Sequence, residues 1–363
     1  MNIYFRNIAG KALFLLFLLC TVNTTTVHAQ LPISGEITAL LNRINHELDF
    51  GSSQMALSLI DDVIPLIENN NILLAELFLL RGNIHFFARR FDLVIPDVLY
   101  SIELNPSDAR SHEHLAVTYL EIGKHADALQ AINRALGIDP HALRLFNARA
   151  AINIAMGNNE IALHDVDYVL DIDPNFADAL AHKGAILSNM GNIREGLSYL
   201  DRAIAINPML TESFRNRGFT NFFLGHDELA FNDFTRAIEL GSQDPEVFHH
   251  RALLHWRMGN YHEGYLDISM AIQLSPENID FYLLRVGYHM NRGNIVMGVS
   301  DLFEVFILLG DEGIKDDFMA LFHGMNIEDI DTTVFSDKLK ELLLGRDPNI
   351  LQRIEDITGI RIE

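Results

Sequence analysis

The 363-residue sequence has a single cysteine and too few basic residues to balance its acidic ones. With Cys20 alone, an internal disulfide framework, a cysteine-ligated zinc site and an iron–sulfur cluster are excluded. There are 27 lysines and arginines against 49 aspartates and glutamates, so the formal charge is -22. This balance argues against binding to nucleic acid or to anionic lipid surfaces, because both need basic patches. Since 49% of the residues are hydrophobic and 21% are charged, the chain is expected to fold.

The first 29 residues have the pattern of a secretory signal peptide. Arg6 and Lys11 precede an apolar run at 12–20, which is shorter than the roughly 20 residues needed to cross a bilayer. A short polar stretch then ends in a small-residue motif at Ala29, where signal peptidase would cleave. An uncleaved anchor helix is the alternative. The sequence therefore predicts an extracytoplasmic protein, periplasmic or secreted, with no stable membrane insertion after cleavage.

The rest of the chain repeats every 34 residues. The period is marked by five prolines, Pro106, Pro140, Pro174, Pro208 and, two periods later, Pro276. With proline at position 32, seven repeats begin at residues 75, 109, 143, 177, 211, 245 and 279. Most of them have glycine at position 15, a small residue at positions 8 and 20, and a bulky apolar residue at position 24. Two helices of about a dozen residues, in close contact at positions 8 and 20, explain this pattern.

This pattern resembles the tetratricopeptide repeat (TPR) family, with small residues at positions 8, 20 and 27, proline at 32 and an aromatic residue at 4. The aromatic residues are Phe78, Phe146, Phe214, Phe248 and Tyr282. The resemblance implies an all-α, right-handed superhelical solenoid of antiparallel helix pairs over residues 75–310. Residues 30–74 are expected to form an N-terminal helical cap or degenerate repeat. Residues 311–363, where the period is lost, are expected to form a C-terminal helical cap, with a partner-binding tail as the alternative.

Five of the repeats share a set of charged and polar residues that the other two lack. In these five, position 7 is arginine, position 23 is aspartate and position 11 is histidine or asparagine. Because a buried arginine is costly without a carboxylate partner, this correlation predicts a structural ion pair between the two helices of each repeat. A catalytic or ligand-binding set is the alternative, although an active site is rarely built five times. The predicted pairs are Arg81–Asp97, Arg149–Asp165, Arg217–Asp233, Arg251–Asp267 and Arg285–Asp301.

The resemblance also implies that the first helices of successive repeats line a concave binding face. On this face, the repeats that begin at 211 and 245 carry aromatic and arginine side chains, a composition typical of interface hot spots. Ordinary packing of these rings on one another is the alternative. The candidate partner-binding residues are Arg215, Phe219, Phe222, Phe223, His249, Leu253, Trp256 and Arg257.

The sequence predicts no catalytic residue, no cofactor and no metal site. It has no phosphate-binding glycine loop, serine elbow, kinase signature or zinc-peptidase histidine pair, and the adjacent His249 and His250 are expected to diverge on their helix. The predicted function is therefore a non-enzymatic, extracytoplasmic adaptor or scaffold for a protein or peptide, and the acidic charge favours a basic partner. An assembly or quality-control factor for cell-envelope or secreted complexes is the first alternative. A small-ligand-binding protein or an enzyme is the second.

Overall fold

The computed structural model describes residues 35–310 and residue 352, and all regular structure in this part of the chain is helical. It comprises sixteen α-helices and one short 3-10 helix at Ile64–Leu66. Among the described residues, none of the helices combines the length and the apolar character needed to cross a bilayer. The predicted signal peptide at 1–29 and, apart from residue 352, the predicted C-terminal cap or tail at 311–363 lie outside the described residues.

The sixteen α-helices follow one another with short connections. They are α1 (Gly35–Phe50), α2 (Ser53–Val63), α3 (Asn71–Phe87), α4 (Phe91–Leu104), α5 (Ala109–Glu121), α6 (His125–Ile138), α7 (Leu143–Ala155), α8 (Asn159–Ile172), α9 (Ala177–Asn189), α10 (Ile193–Ile206), α11 (Thr211–Phe223), α12 (Asp227–Glu239), α13 (Pro245–Arg257), α14 (Tyr261–Leu274), α15 (Ile279–Asn291) and α16 (Ile295–Leu308).

The chain divides into two compact units, residues 1–220 and residues 221–363, and the division falls within α11. In the first unit, α1 to α9 each pack against the next helix in the chain. The first helices of three consecutive repeats also contact one another, α5 with α7 and α7 with α9. In the second unit, α12 to α16 pack in the same serial way. Serial packing of helix pairs is the arrangement of a helical-repeat solenoid, so the predicted all-α fold is confirmed.

A row of fully buried apolar side chains at position 24 forms the centre of the helix pairs. All seven have no solvent exposure: Val98, Ile132, Val166, Leu200, Phe234, Ile268 and Leu302. The two helices approach closely where positions 8 and 20 meet. In the pair α9 and α10, a Cβ added to Gly184 would lie 2.9 Å from the Gly196 carbonyl oxygen, and one added to Gly196 would lie 2.7 Å from that of Gly184. Side chains larger than a hydrogen at both positions would force the helices apart.

The turn between the two helices of each repeat needs a residue in the left-handed region. Six repeats have glycine at position 15, with φ between 71° and 89°. The first repeat has Arg89 there, and it is the only non-glycine residue of the described chain with a positive φ, at 54°. The Arg90 amide still donates to the His85 carbonyl at 2.9 Å, the bond that closes this type of helix end. The packing of the helix pair therefore imposes this conformation even on a residue with a side chain.

The first repeat also begins earlier than its period indicates. Helix α3 starts at Asn71, four residues before the predicted start of the repeat at 75. The side chain of Asn70 caps it, because Oδ1 accepts a hydrogen bond from the Leu73 amide at 3.1 Å. Asn70 and Asn71 therefore supply this extended helix with its cap and its first residue.

Candidate functional site

Four of the five predicted arginine–aspartate pairs are formed, each between the two helices of one repeat. The arginine Nε and Nη2 atoms donate to the two carboxylate oxygens at 2.6–2.9 Å, in the bidentate geometry that strengthens such pairs. The aspartate side chains are 2–8% exposed and the arginine side chains are 16–26% exposed. The members of the fifth pair, Arg217 and Asp233, belong to different units, and their pairing stays a prediction.

The aromatic residue at position 4 belongs to the same set as the arginine and the aspartate, although the sequence-based prediction did not include it. The guanidinium carbon lies over this ring in four repeats, 4.8 Å from its centroid for Arg81 over Phe78 and 5.3 Å for Arg149 over Phe146. Repeats without the arginine have no phenylalanine or tyrosine at position 4. The signal was therefore present, because the aromatic residue and the arginine occur in the same five repeats. The aromatic ring thus covers one face of the guanidinium group of the arginine, and the aspartate neutralises that group by hydrogen bonds at its edge.

In four repeats, position 7 also links the repeat to the one before it. The Nη1 atom of Arg217 donates to Asp201 at 2.7 Å, and that of Arg251 donates to the Thr235 hydroxyl at 3.3 Å, both sixteen residues back in position 25 of the preceding repeat. Lys183 makes the same link to Asp167 at 2.7 Å, although its repeat lacks the rest of the set. A side chain that holds two helices of its own repeat and one of the previous repeat is positioned for a structural role.

The position 11 side chains differ in what they contact. Asn221 donates to the Asp233 carboxylate at 3.2 Å, whereas Asn153 donates to the backbone carbonyl of Arg149 at 3.0 Å. The Nε2 atom of His289 lies 3.5 Å from Asp301. Burial lowers the pKa of His289 below its ordinary value of 6.5, so the ring is uncharged at neutral pH.

Polar side chains link the first helices of the first unit to one another. The contacts are Glu76–Arg110 at 3.3 Å, Glu113–Arg144 at 2.9 Å and Asn147–His182 at 2.9 Å. Burial raises the pKa of Glu76 and Glu113 and lowers that of His182 to about 4. This row of half-buried acids and bases was not singled out in the sequence.

Two of the candidate partner-binding residues lie in the first unit. The Nη2 atom of Arg215 contacts Glu212 one helical turn away, at 2.5 Å, and the ring of Phe219 is half-buried. The other six candidates lie in the second unit, where they separate into two groups.

Trp256, Leu253 and His249 belong to the packing of the second unit. The Trp256 ring meets the rings of Tyr288 and Tyr261 edge to face, with centroids 4.7 and 5.1 Å apart, and Leu253 packs against the same core. His249 lies against the fully buried Phe281 ring, with centroids 5.1 Å apart. For these three residues the structure favours packing, the alternative left open by the sequence.

Phe222, Phe223 and Arg257 form a surface cluster with His250, and we call these four residues the aromatic–arginine patch. Phe223 is 77% exposed and meets Phe222 edge to face at 5.7 Å. The Arg257 guanidinium lies 4.8 Å from the Phe222 centroid and is held by Asp227, whose carboxylate accepts from Nη1 at 2.8 Å. The His250 ring lies 4.8 Å from Phe222. The patch thus presents an exposed ring beside a fixed cation.

His249 and His250 do not diverge as expected, because Glu246 lies between them. Its Oε2 atom is 3.3 Å from Nδ1 of His249 and 3.6 Å from Nδ1 of His250. The hydrogen bond from His249 lowers the pKa of Glu246, and burial lowers that of His250. Among the described residues, these three are a group whose donor atoms are close enough to hold a metal ion.

Comparison with known proteins identifies the repeats. Residues 79–142 and residues 177–208 match two models of the tetratricopeptide repeat. Both segments are therefore similar to TPR repeats. TPR proteins typically act as protein-interaction scaffolds that bind protein or peptide partners.

Solved structures show the same fold. A TPR protein from Parabacteroides merdae ATCC 43184 is 17% identical, with a TM-score of 0.53, and the match covers 67% of this chain and 94% of that chain. A chain of the APC/C hetero-tetramer Cut9–Hcn1 is 14% identical, with a TM-score of 0.57, covering 86% of this chain and 57% of that chain. No curated protein sequence matches this chain significantly. At these identities, the likeness shows the TPR fold alone.

Proposed function

We propose that the protein is an extracytoplasmic TPR scaffold that binds a protein or peptide partner at the aromatic–arginine patch of its second unit. The observation that carries this proposal is the exposure of Phe223 beside Phe222 and Arg257. Exposure of a large aromatic residue such as Phe223, which is 77% exposed, is unfavourable in water. Burial of its ring against a partner would therefore contribute favourably to binding. Aromatic residues and arginine are also the residues most enriched in binding hot spots.

The charges around the patch favour a partner of basic character. Arg257 is already neutralised by Asp227, and Glu228 adds a further acidic residue in the first turn of α12. The whole chain has a formal charge of -22, which would attract a basic partner over a distance of about a Debye length. The expected ligand is therefore an apolar side chain, to be buried against Phe223, flanked by lysine or arginine.

Partner capture with matched variants tests this proposal. The purified protein is used to capture partners from the extracytoplasmic extract of its native cells, and a captured partner is then purified for a binding measurement. We expect Phe222→Ala with Phe223→Ala to weaken binding at least tenfold, because hot-spot truncations cost about 2 kcal/mol or more. Leu229→Ala, which truncates another exposed apolar side chain of the same unit (56% exposed), is the control and should leave the affinity unchanged. Equal binding by the patch variant and the wild type would contradict the proposed surface.

The extracytoplasmic location rests on the signal-peptide pattern of residues 1–29. The protein recovered from its native cells should begin at Gln30 and should fractionate outside the cytoplasm. Mass spectrometry of the intact protein from separated cell fractions measures both properties. A protein that begins at Met1 in the cytoplasmic fraction would contradict this part of the proposal and would leave the patch proposal in place.

A further inference from the structure

One turn of α13 carries three side chains with metal-binding atoms. Glu246, His249 and His250 stand at i, i+3 and i+4, so the glutamate is a helical neighbour of both histidines. The Glu246 Oε2 atom is 3.3 Å from Nδ1 of His249 and 3.6 Å from Nδ1 of His250. One donor atom from each of the three residues lies within 4.8 Å of the others.

The two distances from Glu246 fit a small tetrahedral ion. Zinc binds imidazole nitrogen and carboxylate oxygen at about 2.0–2.2 Å, so two ligands at corners of its tetrahedron are about 3.4 Å apart. The two distances from Glu246 fall on either side of this value. Two imidazoles and one carboxylate also select zinc and its neighbours in the transition series over magnesium and calcium, which prefer all-oxygen sites.

The surroundings hold the three side chains in place. Asn278 donates to the other oxygen of Glu246, Oε1, at 3.5 Å, which leaves Oε2 to face the histidines. The rings of Phe281 and Phe222 lie against His249 and His250, respectively. Outer contacts of this kind orient metal ligands and reduce the entropy lost on binding.

Two hydrogen bonds of the free protein would be exchanged on binding. The one from His249 Nδ1 to Glu246 Oε2, at 3.3 Å, would be replaced by coordination of both atoms to the ion. The Nδ1 atom of His250 is 2.8 Å from the Glu246 backbone carbonyl oxygen, where it donates a hydrogen bond. Coordination through Nδ1 removes that proton, but the carbonyl oxygen keeps its ordinary helical bond from the amide four residues on. The exchange therefore leaves no buried carbonyl unsatisfied.

We propose that Glu246, His249 and His250 form a binding site for a divalent transition metal ion of the zinc type, with the fourth coordination position open to water or an external ligand. The site does not depend on partner binding. Each proposal can therefore fail without the other.

Titration of the purified full chain with Zn²⁺ tests the site. Calorimetry should show one equivalent whose affinity falls about tenfold to 100-fold or more in His249→Gln with His250→Gln, because even outer-shell changes have effects of this size. Glu246→Gln, which keeps the shape of the side chain, should lower the affinity about tenfold or more. Co²⁺ should give the visible spectrum of a four-coordinate ion in the wild type and lose it in both variants. Helical content measured by circular dichroism checks that each variant is folded. If the histidine double variant is unfolded, the comparison of Glu246→Gln with the wild type decides the test.

The matched control removes two histidines elsewhere in the second unit. His226 and His262 are exposed and lie outside the group, so His226→Gln with His262→Gln should bind Zn²⁺ like the wild type. The proposal is overturned if the wild type shows no stoichiometric site. It is also overturned if folded Glu246→Gln binds as tightly as the wild type, or if the control loses the site.

Discussion

Replacement of Arg251 by leucine tests whether the repeated ion pairs stabilise the fold. The Asp267 carboxylate is 8% exposed and accepts two hydrogen bonds from Arg251, both at 2.7 Å. In Arg251→Leu this carboxylate keeps its charge in a largely buried position and loses both bonds. Nε2 of His255 lies 3.8 Å from this carboxylate, which is too far for a good hydrogen bond.

The expected cost follows from that unpaired charge. Removal of one partner of a buried ion pair typically costs about 3–5 kcal/mol of unfolding free energy. Because Arg251 itself is 16% exposed, some water will reach the carboxylate, and we expect about 3 kcal/mol. Asp267→Leu should cost less, since the more exposed arginine can turn toward solvent and retain Thr235. In the double variant no charge is left unpaired, so at least about 1 kcal/mol of the loss should be recovered.

The single tryptophan provides the assay. Trp256 lies in the same helix, α13, and its half-buried ring packs against Tyr261 and Tyr288. Its fluorescence during urea denaturation therefore reports the unfolding of the second unit. Arg257→Leu is the matched control, because this arginine is 48% exposed and its pair with Asp227 is worth about 0–1 kcal/mol.

Two results would refute this reasoning. The first is a loss of less than about 1 kcal/mol in Arg251→Leu, which would mean that the carboxylate is solvated without its partner. The second is a double variant as unstable as the sum of the single ones, which would show that the two side chains stabilise the unit independently.

Three further predictions concern packing and protonation. Gly264→Ala should cost about 1–3 kcal/mol, because an added Cβ would collide with the Tyr288 hydroxyl, whereas Gly137→Ala, with open space around it in α6, should gain up to about 1 kcal/mol; urea denaturation measures both, and equal effects would contradict the close approach. Trp256→Ala should destabilise the second unit by about 2 kcal/mol or more in calorimetric melting, and Phe223→Ala should change it by less than about 0.5 kcal/mol; the reverse order would mean that their exposures are misassigned. Burial lowers the pKa of His182 from 6.5 to about 4 in the folded protein, so between these pH values the unfolded chain binds a proton that the folded chain does not. This proton favours the unfolded chain, and the free energy of unfolding therefore falls as the pH is lowered. Denaturation at several pH values should therefore show the wild type losing stability relative to His182→Gln between pH 6.5 and 4, and parallel curves would refute this assignment.

The fold was predictable because each repeat makes the same contacts. A period of 34 residues with a fixed apolar position can be satisfied only by units that pack identically, and all seven side chains at position 24 are indeed fully buried. The arginine–aspartate pairs were predictable for a related reason, since residues that appear and disappear together within one chain contact one another. The same reasoning, applied to position 4, would have added the aromatic residue that lies over the arginine.

Contacts between neighbouring repeats were not predictable from the period. Arg251 reaches Thr235 and Arg217 reaches Asp201. The acceptor at position 25 changes from aspartate to threonine, and it lies one repeat before the cation, so a comparison within single repeats does not show the link. Arg89 illustrates a further case, because the sequence offered no reason for a non-glycine residue to adopt a positive φ. The glutamate of the proposed metal site was visible in the sequence, at helical spacing from both histidines.

The sequence by itself determined the helix pairs, their order and the ion pairs inside them, because these depend on residues that recur at fixed spacing. Only the tertiary structure decided which candidate side chains are available to a partner. Phe222 and Trp256 occupy the same position of consecutive repeats, yet Trp256 packs between Tyr261 and Tyr288 while Phe222 meets the exposed Phe223. Tyr288 can reach Trp256 because Gly264 leaves room for it and the Ala252 carbonyl accepts its hydroxyl at 2.6 Å. Whether a side chain is buried thus depends on the residues of neighbouring helices that contact it, and some of these residues lie in another repeat.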